Sequence, residues 1–237
     1  SSVTQGNFFL IGSGVRKCIL NESGSFDDFD FIGNFDLDRI QKQFGNQVVR
    51  RLDQFRTVKI MWGDIEIDFI SNTNIKKALE GSDITLSLMC IDKNGVVYDP
   101  LNYIDDFRRK LIRIENAEDK IRVGPDRILR VLRFTAELGY EVEDLTKQAC
   151  ISNAGLMNAE NTEYALKKLL SMDPGKRDRA LEIAEKYGIL DCVKNIITDK
   201  CEGELKNNQN FNSTRLSLER FLRTPDFFIF GGALRDI

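Results

Sequence analysis

Between residues 7 and 114 the apolar positions change period repeatedly. NFFLIG (7–12), DFDFIG (28–33) and FRTVKIMWGDIEIDFIS (55–71) carry them in blocks or at alternate positions, as strands do. GVRKCIL (14–20) and DLDRIQKQFG (36–45) space them as helices do. Within the third strand-like stretch Gly63-Asp64 supplies a two-residue turn, which predicts a hairpin. From about 116 to 205 the spacing is helical throughout, in DRILRVLRFTAELGY, NTEYALKKLLSM and PGKRDRALEIAEKYGILDCV. Pro174-Gly175 marks a helix start, GELKNNQNFNS (203–213) reads as a polar linker, TRLSLERFLR as one more helix and DFFIF as one more strand. The pattern predicts an α+β chain: a head with a mixed β-sheet and flanking helices over 1–114, an all-α unit over 115–206, a linker over 207–213, and a further strand-bearing segment over 214–237.

Composition narrows the chemistry. The 237 residues are 42% hydrophobic and 30% charged, enough for one large or two modest globular domains. A net charge of −3 supplies no global basic field, so any nucleic-acid contact must rest on a local patch. Cys18, Cys90, Cys150, Cys192 and Cys201 are odd in number and scattered, which predicts reduced thiols in a cytoplasmic or other reducing compartment. No apolar run reaches the roughly 20 residues of a membrane span, so a soluble protein with no membrane partner is expected. The chain has no histidine. That excludes Ser-His-Asp and Cys-His catalysis and histidine-based zinc or phosphohydrolase sites, and leaves catalysis to carboxylates with hard cations such as Mg²⁺.

Alternation along DFDF sends Asp28 and Asp30 to one side and Phe29 and Phe31 to the other. Carboxylates so close repel unless a cation sits between them. IEIDF repeats the device with Glu66 and Asp68. Three carboxylates from two strands, Asp28, Asp30 and Asp68 or alternatively Glu66, are candidate ligands for two Mg²⁺ ions. Taken alone, D-x-D is the default pattern of a half-exposed strand. The glycine-rich turn IGSGVRK shortly before it adds a second element: backbone N–H groups at a helix start, with Arg16 and Lys17, suit a triphosphate.

With these residues in view the sequence resembles the class II tRNA nucleotidyltransferases and bacterial-type poly(A) polymerases of the DNA polymerase beta superfamily. The family's strand, G-G-x-x-R-D and D-x-D match Gly12-Ser13-Gly14-Val15-Arg16-Lys17 and Asp28-Phe29-Asp30; its third carboxylate falls on Asp68, or on Glu66 by a shifted alignment. Asp83, Thr85, Met89, Gly95, Asp99, Pro100 and Arg113 match the stretch that reads R-R-D-F-T-I-N-A-M, a D-x-x-G turn, D-P and I-R. Arg127, Arg130, Arg133 and Phe134 match the neck helix. The resemblance covers residues 7 to about 140. It implies a nucleotidyltransferase head and helical neck that add CMP or AMP from CTP or ATP to the 3′ end of an RNA such as tRNA, with Mg²⁺ on Asp28, Asp30 and Asp68. Gly12, Ser13, Gly14, Arg16, Lys17, Asp83, Arg127 and Arg130 are the nucleotide-binding positions it implies.

The departures are Ser13 for a glycine, Lys17 for an aspartate, Gly81-Ser82 for an Arg-Arg pair, Ser87 for an asparagine, and Val123 and Gly124 for the two acids of the base-choosing E-D-x-x-R. Carboxylates persist while the surrounding contacts thin, which leaves a second expectation open: a non-catalytic nucleotidyltransferase-like module that binds RNA beside an active copy. Without the family, Arg127, Arg130 and Arg133 read as a solvated or ion-paired stripe. Finally, Phe8, Phe9, Gly12 and Arg16 recur at a constant offset as Phe227, Phe228, Gly231 and Arg235. This predicts either the start of a second head in tandem, or a tail strand that completes the first head or that of a neighbour in a homo-oligomer.

Overall fold

The computed structural model describes residues 4–20, 28–80, 84–99 and 101–207, in two units that divide after Glu115. In the N-terminal unit, β1 (Thr4–Ile11) runs through Gly12 into helix α1 (Ser13–Leu20). Then follow β2 (Asp28–Phe35), α2 (Leu37–Phe44), β3 (Val48–Leu52), β4 (Thr57–Trp62), β5 (Ile65–Ser71), α3 (Ile75–Glu80), β6 (Cys90–Asp92), β7 (Val97–Tyr98), α4 (Ile104–Arg108) and the short strand β8 (Leu111–Ile112). Seven strands form one sheet in the order β3-β4-β5-β2-β1-β6-β7. Within it β2 and β5 are parallel and the other pairs antiparallel.

The predicted hairpin forms at Gly63, whose φ of 62° is open to glycine and strained for other residues. Alternation then sorts the faces. Val58, Ile60, Ile67, Phe69 and Phe31 join Phe35 and Ile40 in a core under α2, with Phe31 stacked on Phe69 at 6.1 Å. Ile40, Val58 and Ile60 are fully buried, each worth about 1.5–3 kcal/mol. α2 starts where Asp36 accepts a hydrogen bond from the Arg39 amide and ends at Gly45. Phe9 and Ile11, which alternate with Phe8 and Leu10 on β1, pack instead with Leu79, Leu88, Cys90 and Tyr103.

Several matched positions of the sequence have structural duties. Asp92 accepts from the amides of Asn94 and Val96, shaping the turn at Gly95. Asp99 accepts from the Ile104 amide at 2.6 Å and starts α4. The Thr85 amide donates to the Arg113 carbonyl at 2.9 Å.

The C-terminal unit contains α5 (Ala117–Val123), α6 (Asp126–Leu138), the short strand β9 (Glu141–Val142), α7 (Asp144–Asn153), α8 (Ala159–Leu170), α9 (Pro174–Lys186) and α10 (Leu190–Asn207). α6 buries Ile128, Leu129, Val131, Leu132 and Phe134, the stripe set by its helical spacing, and packs on α8 and α9. Gly139, in the left-handed region, ends it. Pro174 occupies the start of α9, as its missing N–H favours. One boundary differs from the sequence expectation: α10 continues through 207, so the polar stretch from 203 begins as helix. Val193, Ile196 and Ile197 bury the earlier turns, from which the helix propagates. The repeated strand and turn at 226–237 lie outside the described residues. No helix of the described residues is long and apolar enough to cross a membrane.

Candidate active site

The parallel pairing of β2 with β5 sets Asp28 beside Glu66 and Asp30 beside Asp68. Paired residues in a sheet share a face, so four carboxylates converge on the side away from the α2 core. β1 lies on the other flank of β2, with Ile11 opposite Asp30. The chain leaves β1 at Gly12, where φ is 72° and an added Cβ would stand 2.6 Å from Asp30 Oδ2. The turn at the start of α1 thus abuts the carboxylate, and only a bare backbone fits there.

Burial, with Asp28 and Asp68 alongside, pushes the Asp30 carboxyl up to about 7. Burial also raises Asp68, and the nearby ammonium of Lys59 offsets this only in part. Lys59 stands opposite Asp68 on β4; it is ion-paired with Glu66, and its Nζ lies 3.4 Å from Asp68 Oδ1. That buried oxygen accepts no well-aligned hydrogen bond. Although burial works against its charge, Lys59 is held above its ordinary value by Glu66 and Asp68.

These donors fit a hard divalent cation: all are oxygens, one lacks an aligned hydrogen bond, and the Asp30 carboxyl is raised by burial and then by neighbouring acids whose repulsion a cation would relieve. Among the described residues, however, no three acidic or cysteine side chains are arranged to hold an ion together. The expected three-carboxylate set is assembled in register but not closed into a ring, and Lys59 is ion-paired with its β5 members.

No family model matches the chain. It is 27% identical over 175 residues to a multifunctional CCA protein of Pseudoalteromonas atlantica, covering 65% of this chain and 42% of that protein. With a CC-adding tRNA nucleotidyltransferase of Shouchella clausii it shares 26% over 167 residues, 68% of this chain and 44% of the relative. Among solved structures, a tRNA nucleotidyltransferase complexed with a primer tRNA and an incoming ATP analog superposes with a TM-score of 0.68 at 19% identity, over 93% of this chain and 73% of that one. The Thermotoga maritima CCA-adding enzyme complexed with tRNA gives 0.67 at 20%, over 93% and 59%. The chain is similar to tRNA nucleotidyltransferases at 26–27% identity and shares their fold. It spans less than half the length of these two curated relatives.

The family's other expected positions are distributed as follows. Gly12, Ser13 and Gly14 form the turn into α1, with Leu10 packed against Gly14. Arg16 is only 7% exposed and Lys17 is half-buried, so Arg16 is part of the fold's interior as well as of the turn. Asp83 lies outside the described residues. Arg127 and Arg130 belong to α6 of the C-terminal unit. Arg127 donates to the Gly124 carbonyl at 3.3 Å, and Arg130 pairs with Asp126 at 3.0 Å. Gly124, where the family has an acid, leaves room for that guanidinium: a Cβ there would meet Arg127 Nη1 at 1.8 Å. Arg133 pairs with Glu137 and lies over the Phe134 ring.

Lys59 was not foreseen from the sequence. The signal was present, since counting outward from the two-residue turn at Gly63-Asp64 pairs Lys59 with Asp68.

Two expected outcomes follow from this geometry. Gly12→Ala should displace Asp30 and strain the left-handed turn, lowering nucleotide incorporation by roughly a hundred-fold with the fold retained. Primer extension together with circular dichroism checks it, and unchanged incorporation would contradict it. The raised Asp30 carboxyl also has a pH signature in metal-free protein. Its contribution to stability is fully present below the unfolded value near 4 and is lost as pH rises through about 7. Asp30→Asn escapes that loss. With a chelator present, its stability advantage should open between about pH 4 and 7 and level off above at roughly 2–4 kcal/mol. Melting curves from pH 5 to 8.5 measure it, and a pH-independent gap would refute the assignment.

Proposed function

We propose that the N-terminal unit is the catalytic head of an RNA 3′-end nucleotidyltransferase, adding CMP or AMP from CTP or ATP to an RNA such as tRNA. The observation that carries this reading is the register of β2 and β5, which unites Asp28 and Asp30 with Glu66 and Asp68 beside the Gly12 turn. Asp28, Asp30 and Asp68 would hold Mg²⁺, which when bound lowers the pKa of the attacking hydroxyl and steadies charge on the phosphates. The 3′-hydroxyl oxygen attacks the α-phosphorus as its proton departs; the bond from that phosphorus to the bridging oxygen breaks, and pyrophosphate leaves. The backbone N–H groups at Ser13 and Gly14 cradle the triphosphate, and Lys17 with Arg16 behind it favours negative charge there. Arg127 and Arg130, on α6 of the C-terminal unit, serve nucleotide or RNA contacts.

The absence of the two base-choosing acids, now Val123 and Gly124, supports a relaxed choice of base rather than strict CCA synthesis. The ion pairs of Lys59 within the carboxylate set favour one second reading, a head that binds RNA while another copy reacts. That copy would be a second head in the same protein or in another chain. Homology to tRNA-processing proteins is consistent with a cytoplasmic setting. Extension of a labelled RNA primer with ATP or CTP separates the readings. The wild-type chain should incorporate nucleotide, and incorporation equal to that of Asp28→Ala/Asp30→Ala sinks the catalytic one.

A further inference from the structure

Lys59, on the described sheet, is ion-paired with the carboxylate set. It sits on β4 with β5 between it and β2, so Asp68 has Lys59 on one flank and Asp30 on the other. Its side chain is 23% exposed and that of Asp68 17%, which shields the contact from water and salt more than a surface pair. Four acids and one ammonium share the face. The ammonium pairs with the β5 side of the set, while on the β2 side Asp28 stands close enough to Asp30 to raise its carboxyl after burial has done so.

We propose that Lys59 is a built-in counter-ion that holds Asp68 away from the metal. A divalent cation is then bound first by Asp28 and Asp30 alone, and Asp68 joins only when Lys59 gives way. This rests on the nucleotidyltransferase reading and deepens it, making Lys59 a positioning residue that sets the metal affinity of the head. The reason is electrostatic. An ammonium within a few ångströms of an incoming dication repels it, and it also engages the oxygens that would be the third ligand. The alternating pattern of β4 would accept a neutral residue at 59, since the position lies on the polar face opposite Val58 and Ile60.

Binding of Mn²⁺, followed by the loss of its free-ion electron paramagnetic resonance signal, tests the proposal without relying on turnover. Lys59→Met should bind Mn²⁺ at least about tenfold more tightly than the wild-type chain, whereas Lys59→Arg, which keeps the charge, should stay within about threefold of it. Adding Asp68→Asn to Lys59→Met should abolish the gain, because the gained ligand is Asp68. Lys59→Gln replaces Lys59→Met if circular dichroism shows the latter unfolded. Equal Mn²⁺ affinity of wild type and the neutral variant overturns the role of Lys59 while leaving the catalytic reading intact. A gain that survives Asp68→Asn also overturns it. Absence of Mn²⁺ binding in every variant removes the metal site itself, and both readings fall with it.

Discussion

Asp28→Ala/Asp30→Ala is expected to lower nucleotide incorporation by at least about a thousand-fold, or about 4 kcal/mol of transition-state stabilisation. Both side chains stand on β2 facing the same side, and the pair supplies the carboxylates that Lys59 does not engage by ion pairing. Removing them removes the oxygens through which a dication could be held against the reacting phosphate. The fold should survive, since Phe29 and Phe31 carry the packing on the opposite face and Phe31 stacks on Phe69. Metal-free stability near neutral pH should even rise, because two mutually repelling acids are gone. The decisive comparison is incorporation per folded molecule with the melting temperature measured alongside. A variant that melts higher yet incorporates nothing fits a site in which charge crowding serves catalysis at the expense of stability. A variant as active as the wild type assigns the two acids to the surface.

Arg113→Met is expected to destabilise the N-terminal unit by about 3–5 kcal/mol. Arg113 Nε lies 3.0 Å from Asp106 Oδ2, and the Asp106 side chain is only 4% exposed. The guanidinium also covers the Tyr103 ring at 5.0 Å, while the Tyr103 hydroxyl bonds Glu115. Methionine would keep part of the contact with the ring and lose the charge, so the penalty comes mainly from Asp106, left buried without its cation. Adding Asp106→Leu to Arg113→Met should recover most of the loss, since replacing both partners removes the stranded charge. Urea unfolding followed at Trp62, the chain's single tryptophan and part of this unit, reads the effect directly. A loss below about 1 kcal/mol would show that Asp106 finds another partner or water.

This pair also illustrates what a matched sequence position can mean. Arg113, Asp99, Gly95 and Thr85 were legible as members of one ordered pattern, and each proves to shape the chain around the head: a buried ion pair, a helix start, a turn and a backbone bridge. None of these roles could be read from the letters, because a motif records which residue recurs and not which atom it satisfies. Arg127 and Arg130 show the same limit. Their helical spacing was plain, yet their partners, the Gly124 carbonyl and Asp126, depend on how α6 begins after Pro125.

By itself the sequence determined the alternation that separates Asp28 and Asp30 from Phe29 and Phe31, the hairpin at Gly63, the helical spacing after residue 116, and the exclusion of histidine chemistry. All of these rest on short-range geometry: the two-residue repeat of a strand, the 3.6-residue repeat of a helix, and the turn that glycine permits. Only the tertiary structure decided that β2 lies parallel to β5, which brings residues nearly forty positions apart to face each other. It also decided that Gly12 presses on Asp30, and that the hairpin carrying Lys59 lies beside β2. Strand order is a choice among distant pairings of similar local energy, settled by which faces bury together, and so the carboxylates of each strand were visible in the sequence while their union across β2 and β5 was not.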